Sequence, residues 1–176
     1  MKSALLNAAG RIPYLFDRMR RNGTENMLDN EINPGEKVLE LNSDIGELER
    51  LRGFIDAFCE LEGVPEETCY KLQVAIEELV LNTIKYGQCD PKNGAIRVVI
   101  KRHGSEIHTS ITDRGIRFNP LEAPTPDLSG SLRDRPVGGL GIHIVRHLIP
   151  SIRYERRGGR NYLYLVEPVK SESGSV

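Results

Sequence analysis

Residues 77–87 read EELVLNTIKYG, and the reading of this stretch decides the fold. Leu72, Ile76, Leu79, Val80 and Thr83 recur at the spacing of an amphipathic helix with one core-facing stripe. Residues four apart on a helix share a face, so Glu78 and Asn82 project together at the edge of that stripe. A carboxylate and an amide oxygen side by side offer hard oxygen ligands to magnesium, which takes few protein ligands and keeps its waters. The same carboxylate can instead take a proton from a hydroxyl or a water. Without further context, Glu78 is equally a solvated charge and Asn82 a surface amide. Glu77 points elsewhere on the helix and reads as surface.

Upstream, Gly63 closes one segment and Pro65, Glu66 and Glu67 open this helix, the two acids suiting the positive end of its dipole. Before that, Ser43 with Glu47 reads as a loose N-cap for a helix carrying Leu48, Leu51, Ile55 and Phe58 on one face. Residues 36–41 (EKVLEL) predict a strand. Downstream, AIRVVIKR and EIHTSITD predict two strands joined at His103-Gly104-Ser105. From Asn119 to Val137 there is no periodicity; Pro120, Pro124, Pro126, Gly130 and Pro136 mark a long loop, a length that is usually functional or disordered. GGLGIHIVRHLI then predicts a glycine-rich turn entering a helix that Pro150 ends. SIRYERR and NYLYLV form a second hairpin around Gly158-Gly159. The pattern predicts the α+β class: a two-layer α/β sandwich with a mixed, mostly antiparallel sheet and helices on one face.

The 176 residues fit one domain with an extension. Residues 1–35 read apart from the rest, with IPYLFDRMRR able to form a short basic helix; they are either a docking arm or a loosely held tail. Residues 36–167 form the domain and residues 168–176 a polar tail. A formal net charge of -1 gives no bulk attraction to nucleic acid. No apolar run reaches the roughly 18 residues of a membrane span, and the N-terminus makes a poor signal peptide. Cys59, Cys69 and Cys89 are odd in number and lack CxxC spacing, so they read as thiols in a reducing cytoplasm, with neither a zinc site nor a disulfide framework.

Two further segments carry chemistry. Asp113 ends a predicted strand and is followed by Gly115. An ionised carboxylate accepts only, so it selects an exocyclic amine such as that of adenine, while a glycine lets the backbone approach a flat ligand. An ordinary Asp-x-Gly turn has the same sequence. Gly138, Gly139 and Gly141 precede a helix, where backbone amides and the dipole can face a phosphate; a flexible hinge has the same sequence, and no Lys-Ser/Thr follows to make a Walker A loop. His143 and His147 are four apart on the last helix, but no Glu lies between them as in HExxH, and they read as surface residues. Arg153, Arg156, Arg157 and Arg160 form a basic cluster that could dock an acidic protein but reads first as a solvated hairpin.

Taken together, EELVLNTIKYG, DRGIRFNP, GGLGIHIVRHL and YERRGGRNYLYL resemble the N box and the glycine boxes of the GHKL ATPase superfamily. They are most like its anti-sigma factor serine/threonine kinases of the RsbW/SpoIIAB type. The likeness covers roughly residues 36–167. It implies a Bergerat-type fold that binds ATP and Mg2+ between helices and sheet. It implies that Asp113 binds the adenine amine, supported by Gly115. It implies that Asn82 holds Mg2+, with Glu78 as general base and reaching the metal through water. Gly138, Gly139, Leu140, Gly141 and Ile142 would line the phosphates, and Lys85, Tyr86 and Phe118 would complete the nucleotide site. Residues 121–137 would form a lid in which Arg133 or Arg135 reaches a phosphate or stays solvated; an exposed helical lysine explains Lys85 equally well. Tyr86 stands where many members carry His, and Asn161 is the substitute for a last-strand Thr that would bond the adenine-binding acid.

The implied function is a cytoplasmic kinase that phosphorylates a STAS-like anti-anti-sigma protein and sequesters a sigma factor, working as a homodimer without direct nucleic-acid or membrane contact. Two alternatives stand beside it: a non-catalytic nucleotide-binding switch, and a histidine-kinase-type catalytic domain. The second lacks, within residues 1–35, room for a dimerising helical hairpin with a phosphoacceptor His.

Overall fold

The structure is a computed structural model that describes residues 34–89, 95–122 and 140–169. The chain divides into two compact units, Met1–Glu36 and Lys37–Val176, and the sheet and its helices belong to the second. Five strands, β1 (Lys37–Leu41), β2 (Ile96–His103), β3 (Glu106–Asp113), β4 (Ser151–Arg157) and β5 (Arg160–Pro168), form one sheet in the order β1-β2-β3-β5-β4. Every described pair is antiparallel, so the sheet is wholly antiparallel among these residues. Among the described residues three α-helices accompany it: α1 (Leu48–Leu61), α2 (Glu66–Tyr86) and α3 (Leu140–Leu148). This is the α+β sandwich that the periodicities predict.

Strand alternation explains the layering. Ile96, Val98 and Ile100 of β2 pair with Asp113, Ile111 and Thr109 of β3, so one face of the sheet receives nearly every large aliphatic side chain. These meet Leu51, Ile55 and Phe58 of α1, the predicted stripe of α2, and Ile142 and Val145 of α3 in a single core. Fully burying each such side chain is worth about 1.5–3 kcal/mol, which makes this face the main source of stability. Leu72, Ile76, Leu79, Val80 and Thr83 are all buried, as their spacing requires. On the outer faces of the helices, Arg52 of α1 forks onto Glu77 of α2 at 2.6 and 2.7 Å, and Gln73 bonds Asp56.

The start of α1 departs from the sequence reading. The cap is Asp44 rather than Ser43: its carboxylate accepts from the Gly46 amide at 2.6 Å and opens a 3-10 turn, Ile45–Glu47, before the helix begins at Leu48. A carboxylate one residue closer to the helix serves this tighter turn better than the Ser hydroxyl. Gly63, at φ 58°, takes the left-handed conformation that ends α1, and the Val64 amide closes back on the Cys59 carbonyl at 2.9 Å. No described helix is long and apolar enough to cross a membrane.

Candidate functional site

β3 delivers Asp113 to the helix-facing side of the sheet, in a row that runs Ile96, Asp113, Asn161, Arg156 across four strands. Asp113 is only 4% exposed. Its Oδ1 accepts from the Gly115 amide at 2.8 Å, from Asn161 Nδ2 at 2.7 Å and from the Cys89 thiol at 3.6 Å. None of the described residues engages Oδ2. Asn161 is buried too, and its Nδ2 also donates to the Ile116 carbonyl at 2.8 Å. Its Oδ1 accepts from the Tyr154 hydroxyl and from Arg156 Nη1, both at 2.8 Å. Arg156 Nη1 also donates to the Gly115 carbonyl at 2.9 Å. Burial, and secondarily the Asp113 carboxylate, pushes the Cys89 thiol up to about 11, so it remains a protonated donor at neutral pH. Burial likewise raises the Tyr154 phenol.

The turn after β3 is sewn to the end of α2. The Ile116 amide donates to the Gly87 carbonyl at 2.7 Å. A Cβ at Gly115 would lie 2.8 Å from the Gly87 carbonyl carbon, closer still to its oxygen, and 2.9 Å from Cys89 Sγ. Only a residue without a side chain permits this approach.

Glu78 and Asn82 stand on one face of α2, half-buried. Asn82 Nδ2 donates to the Glu78 carbonyl at 2.6 Å, which leaves Asn82 Oδ1 as the outward pole of the amide. The Glu78 carboxylate lies against the first turn of α3: a Cβ at Gly141 would sit 2.6 Å from Glu78 Cδ. Thus α2 touches α3 at Glu78 and the Asp113 turn at Gly87. These points are nine residues, or about 13 Å of helix, apart. No cluster of three or more His, Cys, Asp or Glu able to hold a metal occurs among the described residues. An amide oxygen and a nearby carboxylate fit a hard cation that draws its other ligands from phosphate and water.

Lys85 and Tyr86 are exposed in the last turn of α2, and the Tyr86 ring lies 5.7 Å from that of Phe118. Leu140 is exposed at the start of α3, whereas the Ile142 side chain belongs to the core, which leaves its backbone as the part able to meet a ligand. Gly138, Gly139, Arg133, Arg135 and residues 123–137 of the expected lid lie outside the described residues. Leu121 and Glu122 sit in a 3-10 turn held by Asn119 Oδ1 on the Leu121 amide at 3.0 Å. His147 Nδ1 contacts the His143 carbonyl at 2.8 Å, and the two rings lie 4.2 Å apart.

The basic cluster differs from the solvated hairpin that the sequence suggests. Arg156 turns inward to Asn161 and Gly115, because it occupies the register position opposite Asn161. Cys89 and Tyr154 join the site without having stood out in the sequence. The available signal was the two-residue turn at Gly158-Gly159, which fixes which residues of the hairpin share the face of Asn161.

Comparison with known proteins bears on the family and the fold. Residues 41–166 match the histidine kinase-like ATPase domain family. The serine/threonine-protein kinase BtrW of Bordetella bronchiseptica is 29% identical over 104 residues, 59% of this chain and 73% of that protein. Among solved structures, the RsbU and RsbW domains of a Mycobacterium tuberculosis protein superpose with a TM-score of 0.57 at 16% identity, over 76% of this chain and 32% of that one. The SiaB–SiaC complex of Pseudomonas aeruginosa gives 0.50 at 11% identity, over 87% and 95% of the respective chains. At these identities both structures speak to the fold alone.

Proposed function

The chain belongs to the histidine kinase-like ATPase domain family, and on that premise we propose that it is an ATP-dependent protein serine/threonine kinase of the anti-sigma type. The observation that carries this reading is the Asp113 carboxylate, buried and held through Oδ1 by three donors while Oδ2 stays uncommitted among the described residues. An acceptor fixed in this way suits the exocyclic amine of adenine and repels the 6-oxo group of guanine.

Asn82 would hold Mg2+, with Glu78 reaching it through water, and the ion would supply neutralisation of charge on the phosphates. Glu78 then removes the proton of an incoming serine or threonine hydroxyl. The hydroxyl oxygen bonds to the γ-phosphorus as the bond to the β-phosphate oxygen breaks, and ADP departs. Gly141 permits Glu78 to lie against α3, and the chain's main contributions are positioning and electrostatics. The phosphoacceptor is a STAS-like anti-anti-sigma protein and the alternative partner a sigma factor, with the kinase acting as a cytoplasmic homodimer. The likeness to BtrW, a serine/threonine-protein kinase, supports the kinase part of this reading.

The test pairs calorimetry with phosphotransfer. Asp113→Ala is expected to abolish Mg-ATP binding. Glu78→Ala is expected to bind ATP and fail to phosphorylate a STAS-domain acceptor. ATP binding without transfer by the wild type would mark a nucleotide-dependent switch instead, and a phosphohistidine product would mark a histidine-kinase-type domain.

A further inference from the structure

The amide of Asn161 uses every hydrogen bond it can make. Its two N–H donors go to Asp113 Oδ1 and the Ile116 carbonyl, and its oxygen accepts from Tyr154 and Arg156. Four bonds fix which way the amide faces, and a side chain 2% exposed has no capacity left for a ligand. Its effect on a bound nucleotide therefore passes through Asp113.

We propose that Asn161, backed by Tyr154 and Arg156, is the positioning residue of the purine site: it locks the Asp113 carboxylate so that Oδ2 alone meets the amine of adenine. This rests on the reading of Asp113 as the adenine acceptor. The other two donors to Oδ1 are less able to impose the orientation. The Gly115 amide belongs to the same turn as Asp113 and moves with it, and the Cys89 thiol is a weak sulfur donor at 3.6 Å. Asn161 reaches across from β5 and is itself anchored twice from β4. Arg156 adds a second hold by bonding the Gly115 carbonyl, so the β4–β5 hairpin grips both the carboxylate and the turn beyond it. Purine selection is thus governed from a hairpin whose own side chains stay off the base.

The test compares binding of ATP with binding of purine riboside triphosphate, which lacks the 6-amino group, to wild type, Asn161→Ala, Tyr154→Phe, Asp113→Ala and the double variant Asn161→Ala/Asp113→Ala. Asn161→Ala is expected to weaken ATP about tenfold, the scale of a misplaced charged hydrogen bond, and to leave purine riboside triphosphate within about twofold. Tyr154→Phe should show the same pattern at about threefold, and Asn161→Ala should add nothing once Asp113 is alanine. Equal weakening of both nucleotides would show a merely structural role and overturn the proposal, as would unchanged ATP affinity. If Asn161→Ala does not melt cooperatively, the single-hydroxyl deletion Tyr154→Phe decides by the same comparison. A wild type that prefers ATP through Asp113, with a preference that survives both replacements, removes this inference alone. A wild type with no preference, unaffected by Asp113→Ala, removes the adenine reading and the inference with it.

Discussion

The Ile116 amide donates to the Gly87 carbonyl at 2.7 Å, joining the turn after β3 to the end of α2 backbone to backbone. The contact is possible because Gly115, next in line, offers no Cβ to the Gly87 carbonyl. The obstacle there is main chain, which cannot swing aside. Gly115→Ala is therefore expected to destabilise the fold by about 1–3 kcal/mol, the usual cost of overpacking, and to weaken nucleotide binding at the same time. Urea unfolding and calorimetry check this; wild-type values in both would show that the junction yields freely.

Gly141 presents the opposite case. A Cβ there meets the far end of the Glu78 side chain, which can move. Alanine is also the better helix former by up to about 1 kcal/mol. Gly141→Ala should leave the thermal midpoint unchanged or raised while phosphotransfer falls about tenfold or more, because Glu78 is displaced. Wild-type turnover in this variant would mean that the position of Glu78 against α3 is immaterial.

Adjacent carboxylates on α2 should behave differently. Glu77 is engaged by Arg52 on the outer surface, and an exposed pair of this kind is worth at most about 1 kcal/mol. Glu77→Gln should cost no more than that and leave transfer intact. Glu78→Gln should fold and bind ATP but lose about 100- to 10,000-fold in transfer, the range for a general base. Matching losses from the two substitutions would remove the assignment.

Cys89 supplies a pH-dependent signature. Its thiol is raised from the ordinary 9.0 to about 11, chiefly by burial and next by the Asp113 carboxylate. At pH 8 roughly one molecule in a thousand carries the thiolate, so labelling by a thiol reagent should be slow and should accelerate about tenfold per pH unit. A raised acid favours the protonated form in the folded state. Its contribution to stability is present below 9.0 and is lost as pH climbs from there through about 11. Mass-resolved labelling and urea melts across this window check both statements; labelling of Cys89 at pH 8 at the rate of free cysteine would refute the first.

The sandwich was legible because burial follows period: the stripe of α2 and the alternating strands announce which faces meet. Asp113 and Gly115 were legible as a pair from their place at a strand end. Tyr154 and Arg156 were not, since neither lies in an apolar pattern and an arginine-rich turn looks the same whether one guanidinium points inward or none does. Their role appears only when strand pairing sets Arg156 opposite Asn161 and Asn161 opposite Asp113. The acid that caps the 3-10 turn ahead of α1 was missed for a local reason: sequence spacing does not separate a 3-10 entry from a direct α-helical start.

Gly158 and Gly159 both hold positive φ, 57° and 78°, in the solvent-facing corner between β4 and β5. That corner sets the parity of β4. With the two-residue corner kept, one added residue slips β4 by one position: Tyr154 and Arg156 turn outward, and Arg157 comes opposite Asn161. An insertion at the rim would thereby remove both anchors of the Asn161 amide without altering Asp113 itself.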